Sequence, residues 1–468
     1  MNEKHRSHWQ LHPLLRGVLS LIAIVLILLL GSYAIRFCMG LFLTGSEYIV
    51  SLPGGASPVV SQSGNTDPDA TQPGYIYPVC EATVTAAGDL MMHMPIIESG
   101  KAGDAYQYDS IFAYVKNTIS QSDYAVVNLE TTLAGTENGN TYSGAPQFNC
   151  PDAIADSAKA AGFDLLLTGN NHCYDTGTRG LKRTLEVLKS RKLDTLGTSA
   201  TAEEKKYLVK DVNGIHVGMV NYTFAEIGDN RDQPVVNGLA TDASAAGLIN
   251  AFDDTKLDMF YTEMEAHIAN MRADGAEVIV LFIHWGDQLT ASVNDSQKAI
   301  AQKMCDLGVD VIAGSHSHVV QPMELLTSTA DSSHKTICLY SMGNFLSNQR
   351  ATNISLTTGQ SEDGVLFSFS MVKYSDGTVM LSGVDLMPTW ILVRGSGDSR
   401  EYQVIPLDKS VENWAESYRL DSTQAGDAEN SFNRTTAVTA EGLDAVQTYL
   451  TETRAAWDAA LAEIQGVG

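Results

Sequence analysis

The sequence has few basic residues for its length. It contains 30 Lys+Arg against 55 Asp+Glu among 468 residues, which gives a formal net charge of -25 at pH 7. Such a chain repels the phosphate backbone, so the shortage of positive charge argues against binding to nucleic acid. The same charge repels an anionic polymer unless bound metal ions or local basic patches offset it.

Cysteine is also scarce. The six cysteines are Cys38, Cys80, Cys150, Cys173, Cys305 and Cys338. They form no CxxC pair, so the sequence does not indicate a thiolate zinc site. Cys38 lies in the apolar N-terminal region, and the remaining five cannot all pair within one chain. We therefore expect a fold that does not rest on disulfides, although one bridge such as Cys80 with Cys150 remains open.

The common catalytic fingerprints are missing as well. No Gly-x-Ser-x-Gly, P-loop or dinucleotide-binding glycine motif accompanies a strand in the required way. No internal repeat is evident. These absences leave side-chain clusters at strand ends as the place to look for chemistry.

One long apolar run stands near the N-terminus. The segment GVLSLIAIVLILLLGSYAI begins at Gly17, carries no charge and is long enough to cross about 30 Å of hydrocarbon. The basic residues that precede it are Lys4, Arg6 and Arg16. By the positive-inside bias they predict a cytoplasmic segment over 1–16 and a single transmembrane anchor over 17–43, with the main domain extracytoplasmic. A cleaved signal peptide is the alternative, but the run exceeds the usual apolar core of such peptides.

The rest of the chain divides into three predicted parts. Residues 44–78 are rich in Gly, Ser, Pro and Asn without apolar periodicity, which indicates a flexible linker. Residues 79–395 are predicted to form the main domain. Residues 396–468 are predicted to form a C-terminal strand and helical tail.

Short apolar runs alternate with helical patterns in the main domain. The runs are ATVTAAGD, DYAVVNLE, FDLLLTGNNH, AEVIVLFIHWGD and VDVIAGSHSH. Helices are predicted over 109–120, 151–161, 178–191, 256–273 and 295–307, with a terminal helix near 441–464. Strands near 334–341, 364–373 and 378–386 alternate with turns, so we expect a second, antiparallel sheet packed against the first. The fold class is α/β with layered sheets.

Each of these five runs ends in polar residues. The candidates are Asp89, Glu130, Asn171, His172, His284, His316 and His318. Ligands collect outside the carboxyl ends of strands in open α/β sheets, so we expect these side chains to converge on one crevice. Carboxylate, amide and imidazole donors together suit borderline divalent metals.

Each element alone has a plain structural explanation. Asp89 could cap a helix, Glu130 could be an exposed charge at a strand end, and the NNH of the third run could be a turn. His284 could be a buried histidine bonded to backbone, and paired histidines such as His316 and His318 are common. The recurrence of all five elements at strand ends favours a site.

In chain order, these motifs resemble the CapA family of capsule (poly-γ-glutamate) synthesis proteins. The matching motifs are GDLM, NLE, GNNH with Asp175 three residues after its histidine, HWG, GSHSH and SMGNF. The fold of that family is similar to the calcineurin-like metallophosphoesterases. The resemblance therefore implies a layered β-sandwich flanked by helices.

The resemblance also implies roles for these residues. It assigns Asp89, Glu130 and His318 to one divalent metal ion, and Glu130, Asn171, His284 and His316 to a second, with manganese, iron or zinc as candidates. His172 would be the catalytic residue, which protonates the leaving group or stabilises the charge that develops on phosphoryl oxygens. Trp285 and Asn344 would bind substrate at the pocket rim.

Two departures from the metallophosphoesterase pattern stand out. That superfamily usually has Asp-x-His in its first cluster, whereas here Met91 lies two residues after Asp89 and His93 lies four after it. It also usually bridges the metals with Asp, whereas this chain offers Glu130. These departures leave metal identity and hydrolytic competence open.

Two functions follow as hypotheses. The chain could assist synthesis or export of an anionic polymer such as poly-γ-glutamate at the outer face of the membrane, with membrane-embedded synthase and export subunits as partners. It could instead be a metal-dependent phosphoesterase or other hydrolase acting on a phosphorylated cell-envelope substrate. A fold-level likeness does not decide between them.

Overall fold

Strands and helices alternate along the chain, in a computed structural model that describes residues 75–228 and 233–465. The strands are β1 (Pro78–Leu90), β2 (Lys101–Ala102), β3 (Ala105–Tyr106), β4 (Tyr124–Leu129), β5 (Leu165–Leu167), β6 (Asp194–Leu196), β7 (Tyr207–Val212), β8 (Ile215–Phe224), β9 (Val235–Val236), β10 (Leu239–Ala240), β11 (Ala251–Phe252), β12 (Val278–His284), β13 (Val311–Ser315), β14 (Met323–Thr327), β15 (Lys335–Leu339), β16 (Asn344–Leu346), β17 (Asp363–Tyr374), β18 (Val379–Arg394) and β19 (Glu401–Pro406). The helices are α1 (Met94–Ser99), α2 (Lys116–Ile119), α3 (Ala153–Ala161), α4 (Gly177–Ser190), α5 (Leu257–Ala273), α6 (Asp295–Asp306), α7 (Trp414–Ser417) and α8 (Ser422–Gln465).

Two large sheets contain most of these strands. The first has the order β19-β18-β17-β1-β4-β5-β6, with β16 paired to β1. The second has the order β11-β8-β12-β13-β15-β14, with β7 paired to β8. Strands β1, β4, β5 and β6 run parallel to one another, as do β8, β12, β13 and β15. Each sheet therefore has a parallel part whose carboxyl ends share one edge.

The two sheets pack face to face. Successive side chains of a strand point to opposite faces, so each central strand contributes to two cores. Val126 of β4 and Val280 of β12 share one core between the sheets, whereas Val127 and Ile279 lie in separate cores on the outer faces. Those outer cores include residues of α3 on the first sheet and of α5 and α6 on the second. The described residues thus form an α/β structure with a sandwich of sheets between layers of helices.

The helices predicted between 109 and 307 form, most of them with small changes at their ends. Only the first breaks, into a 3-10 turn at Asp109–Phe112 followed by α2. Gly162, Gly275 and Gly308 follow α3, α5 and α6 with φ of 110°, 96° and 88°, which is the left-handed conformation that ends a helix without steric cost.

The assignment of strands to sheets differs from the sequence prediction. The antiparallel strands β17 and β18 extend the first sheet beside β1, and they do not form a separate one. The runs that end in HWG and GSHSH, β12 and β13, belong to the second sheet. Apolar strands buried on both faces carry no period-2 pattern, so the sequence does not reveal which sheet they join.

Helix α8 is far longer than the predicted 441–464. It spans 44 residues and packs on β18 of the first sheet and β14 of the second. Gly442 lets it approach β14, because a Cβ at this position would overlap the Met323 carbonyl oxygen. Gly426, in the same helix, faces open space.

These two glycines predict opposite effects of one substitution. Gly426→Ala should raise the free energy of unfolding by about 0.5–1 kcal/mol, the gain from replacing an unconstrained helical glycine. Gly442→Ala should lower it by about 1–3 kcal/mol, because helix and strand must separate. Urea denaturation of both variants measures the difference, and a stabilised Gly442→Ala protein would contradict the close approach.

Two further expectations concern the cysteines and the anchor. All five described cysteines are free thiols, so the Cys80–Cys150 bridge that the sequence left open does not form. The predicted anchor over 17–43 lies outside the described residues. Within 75–228 and 233–465, no helix has the length and apolarity needed to cross a bilayer.

Candidate metal centre

Polar side chains from both sheets meet where the parallel strands end. Asp89 stands near the end of β1, Glu130 directly follows β4, and His284 is the last residue of β12. The GNNH turn follows β5, and the GSHSH segment begins in the last two residues of β13. The convergence expected from the sequence is present, at an edge shared by two facing sheets.

The cluster contains two fully buried carboxylates, Asp89 and Glu130. Asp89 Oδ1 accepts a hydrogen bond from Asn128 Nδ2 at 2.8 Å, and its Oδ2 lies 3.0 Å from His318 Nδ1. Glu130 differs, because neither of its side-chain oxygens has a hydrogen-bond partner among the described residues. A buried carboxylate without partners costs several kcal/mol unless it is protonated or bound to a cation.

Three imidazoles surround Glu130. Its Oε1 lies 3.7 Å from His284 Nε2, 3.9 Å from His318 Nε2 and 4.0 Å from His172 Nε2. His316 Nδ1 lies 2.9 Å from His284 Nε2, which also lies 2.8 Å from Asn171 Oδ1. The other six predicted side chains are therefore all linked to Glu130, either directly or through one neighbour.

The backbone of the GSHSH turn directs its two histidines. His316 has φ of 93° and His318 has φ of 57°, a region that non-glycine residues seldom occupy and that costs about 1–3 kcal/mol each. The two rings lie 6.0 Å apart, and each belongs to a different group of potential ligands. The strained turn thus places one imidazole on each side of Glu130.

The third run supplies His172 with a fixed orientation. His172 Nδ1 lies 2.7 Å from Asp175 Oδ2, so Nδ1–H donates a hydrogen bond to the carboxylate and Nε2 faces Glu130. Asp175 Oδ2 also accepts the Phe148 backbone N–H at 2.6 Å. The Phe148 ring packs edge-on against His172, with centroids 4.6 Å apart.

Burial and mutual repulsion set the charges of the cluster. Burial, and then the neighbouring Asp89 carboxylate, raise the pKa of Glu130 well above its ordinary value. Burial lowers the pKa of His284 well below its ordinary value, and the nearby His316 and His318 rings lower it further. Burial, followed by His318, lowers the pKa of His316 to about 3. The rings of His284 and His316 are therefore neutral at pH 7 and can offer nitrogen lone pairs to a cation beside the acid.

The spacing of these atoms fits divalent metal ions. An ion bound at about 2.1 Å holds neighbouring ligand atoms about 3.0 Å apart at right angles and about 3.4 Å apart at tetrahedral angles. Two triads have ligand atoms within 4.8 Å of one another, Glu130 with His284 and His316, and Asp89 with Glu130 and His318. Glu130 belongs to both, as a bridging ligand must. The unpartnered oxygens of Glu130 and the mixed donors make this a candidate metal centre.

The two residues predicted to bind substrate are both buried. Trp285 is buried in the core of the second sheet, where its Nε1 donates to the Tyr340 carbonyl oxygen at 2.9 Å. Asn344 is also fully buried, and its Nδ2 donates to Ser361 O and Gln349 Oε1. Neither side chain reaches a pocket rim. Asn344 is paired with Asp89 between β1 and β16, and Trp285 directly follows His284.

Several supporting residues were not assigned from the sequence. Asn128 links Asp89 to Asn170, whose Nδ2 donates to Asn128 Oδ1 at 3.0 Å. Ser315 Oγ lies 2.8 Å from His284 Nδ1 and so orients that ring. A signal for Asn128 was present, since it is a lone amide within the buried apolar strand YAVVNL. His93 also lies beside the cluster.

The sequence matches the family described as "Bacterial capsule synthesis protein PGA_cap" over residues 83–349, more than half of the chain. The chain belongs to this family. The capsule synthesis family match begins within β1 and ends shortly after β16, so it contains every residue of the candidate metal centre. The resemblance seen in the sequence is thereby confirmed.

Individual relatives carry related names. The PGA biosynthesis protein CapA of Bacillus subtilis is 26% identical over 301 residues, covering 64% of this chain and 70% of that protein. The capsule biosynthesis protein CapA of Bacillus anthracis is 27% identical over 308 residues, which cover 65% of this chain and 67% of that protein. A probable polyglutamine synthesis accessory protein of Mycobacterium tuberculosis is 23% identical over 236 residues, which cover 47% of this chain and 56% of that protein.

Proposed function

We propose that this member of the capsule synthesis family takes part in the synthesis or export of an anionic polymer such as poly-γ-glutamate, with two divalent metal ions at its candidate metal centre. The names of its Bacillus relatives support the process. The observation that carries the metal proposal is Glu130, a buried acid with two unpartnered oxygens and three imidazole nitrogens within 4.0 Å.

Each residue of the cluster has a task in this proposal. Glu130 would bridge the two ions, with Asp89 and His318 on one side and His284, His316 and Asn171 on the other. Bound ions would supply positive charge and Lewis acidity to the site. This charge would offset the net charge of -25 and so admit the carboxylates of a polymer.

The location belongs to the same proposal. The uncharged run that begins at Gly17 would anchor the chain in the cell membrane, with its N-terminus cytoplasmic and the described residues outside. Its partners there would be membrane-embedded synthase or export subunits. The name of the mycobacterial relative, an accessory protein, supports a role alongside other components.

Retention of polymer by the full-length chain tests this function. We expect the purified protein, loaded with manganese, to co-elute with poly-γ-glutamate from a size-exclusion column. The two should elute separately when a chelator removes the metal. Poly-α-glutamate of equal length is the matched control for linkage. Equal retention with and without metal would contradict the proposed role of the ions.

A second candidate function, a metal-dependent phosphoesterase, rests on one further observation. The Asp175 carboxylate orients His172, whose Nε2 lies 4.0 Å from Glu130. In this position His172 would be an oriented acid beside a substrate bound at the metal centre. His172 would donate a proton to the leaving group, and Asp175 would stabilise the imidazolium before the transfer.

Substitution of His172 separates the two candidates. If the chain hydrolyses an aryl phosphodiester in manganese, His172→Ala should lower kcat by about 10²- to 10⁴-fold, the usual contribution of a general acid. Metal content should stay unchanged, and His216→Ala, at a half-exposed histidine outside the cluster, should retain full activity. Absence of turnover over a broad substrate panel would reject the esterase and leave the binding role.

A further inference from the structure

His93 stands beside the candidate metal centre without being one of its predicted ligands. It caps the N-terminus of α1, where its carbonyl oxygen accepts the Ile96 and Ile97 N–H groups. A Cβ on Gly144 would press against the His93 Cα and the Met94 nitrogen, so this loop packs closely on the His93 backbone. The main chain of His93 is therefore fixed from two sides.

The orientation of the ring is also fixed. His93 Nδ1 accepts the Asn348 N–H at 3.3 Å, so the proton of the neutral ring resides on Nε2. The Met91 backbone also hydrogen-bonds the His93 ring. Among the described residues, no side chain forms a hydrogen bond with that Nε2, and the His93 side chain is half-buried. An oriented donor is thus left available to a molecule that enters the site.

Phe148 places this donor next to the catalytic candidate. Its ring packs edge-on against His93 at 5.0 Å between centroids and against His172 at 4.6 Å. Burial, and then the His318 and His172 rings, lower the pKa of His93 to about 4. The ring is neutral at pH 7, so it can donate a hydrogen bond without adding positive charge beside bound cations.

We propose that His93 is a substrate-binding residue, whose Nε2–H donates a hydrogen bond to an oxyanion held at the metal centre. The oxyanion belongs to a carboxylate or a phosphoryl group, since each has an anionic oxygen that can accept a hydrogen bond from one N–H. This inference rests on the proposed metal centre. It extends that proposal to a residue that the predicted ligand set does not contain.

Three substitutions of His93 separate donation from packing. His93→Asn retains an acceptor for the Asn348 N–H but lacks a donor at the position of Nε2, whereas His93→Gln places an amide N–H near that position. His93→Phe retains the ring against Phe148 and removes both nitrogens. His216→Asn, at a half-exposed histidine outside the cluster, is the matched control.

The test measures binding of two probes to the manganese-loaded full-length chain by calorimetry, together with metal content. The probes are inorganic phosphate and a short γ-linked glutamate oligomer, so the one that binds identifies the oxyanion. We expect His93→Asn and His93→Phe to weaken binding about 10- to 100-fold, the range for a lost hydrogen bond to a charged group. His93→Gln should lose less, and all variants should keep the wild-type metal content.

Three results would overturn the inference, and they are distinguishable. Unchanged affinity in His93→Asn would reject His93 as a donor while leaving the metal centre intact. Equal losses in the Gln, Asn and Phe variants would assign the ring a structural role only. A wild-type chain that binds no manganese would reject the proposed function itself, and with it the oxyanion site.

Discussion

Glu130→Gln should abolish metal binding at both sites of the candidate metal centre. Glu130 is the one residue shared by the two triads, and an amide cannot bridge two cations as a carboxylate does. We expect the manganese affinity of both sites to fall by more than about 100-fold, beyond the 10- to 100-fold that loss of an outer-shell partner costs. Metal content after dialysis of the full-length protein measures this loss.

The same substitution should stabilise the metal-free protein. Because burial raises the pKa of Glu130 in the folded chain, this acid lowers the stability of the metal-free fold at pH values above its unfolded pKa. Replacement by Gln should therefore add about 1–3 kcal/mol to the free energy of unfolding at pH 7. This gain should vanish below about pH 4, where the carboxyl is protonated in both the folded and the unfolded chain.

Two controls make the Glu130 result interpretable. Glu324→Gln replaces an exposed carboxylate outside the cluster that accepts a hydrogen bond from the Tyr340 hydroxyl. This variant should leave the metal content unchanged. In saturating manganese, the order of stability should reverse, because ligand binding stabilises only the wild-type fold. A Glu130→Gln protein that is less stable than wild type without metal would contradict the assignment of an unpartnered buried acid.

His316→Ala and His318→Ala should each remove one metal ion of the two. The residues lie in separate triads, His316 with His284 and His318 with Asp89, and only Glu130 is common. We therefore expect each variant to hold about half of the wild-type manganese and the double variant to hold almost none. Equilibrium dialysis with a metal assay measures these ratios.

Together, the His316 and His318 variants distinguish a centre with two bound ions from a centre with one. His334→Ala removes a half-buried imidazole whose Nε2 lies near the Val309 carbonyl oxygen, and it should keep the full metal content. If either single variant loses all of the metal, a single ion with ligands from both triads becomes the better description. That outcome would contradict the proposal of two ions while preserving the metal centre itself.

The location of the site was predictable because its residues interrupt strong patterns. Glu130 and His284 each end a buried apolar strand, where a polar side chain has no reason to stand unless it is satisfied by a partner. Parallel strands bring such ends to one edge. What the sequence did not reveal was that two sheets share this edge, because strands buried on both faces show no alternation.

Other features had weak or overlooked signals. The first half of α8 buries Ala428, Ser431, Thr435 and Thr439, which recur at helical spacing but are too small and polar to register as an apolar stripe. The β7–β8 hairpin was missed although Asn213 and Gly214 form its two-residue turn, with φ of 49° and 89°. Asn-Gly between strands is a strong hairpin signal.

The burial of Trp285 and Asn344 has a related explanation. Both belong to motifs of the family resemblance, and a motif does not distinguish a residue that contacts a ligand from one that supports the site. Trp285 stacks on Tyr340, and Asn344 ties the loop after β16 to Ser361. The hydrogen bonds that occupy Trp285 Nε1 and Asn344 Nδ2, which the motif does not encode, indicate a supporting role.

Anomalous diffraction from crystals of the manganese-loaded full-length chain is the most direct test of the central claim. We predict two peaks at the manganese edge, about 3.5–4 Å apart and bridged by the Glu130 carboxylate. One peak should lie beside Asp89 and His318, and the other beside His284 and His316. The absence of any peak among these residues, in protein that is folded and exposed to manganese, would contradict the account.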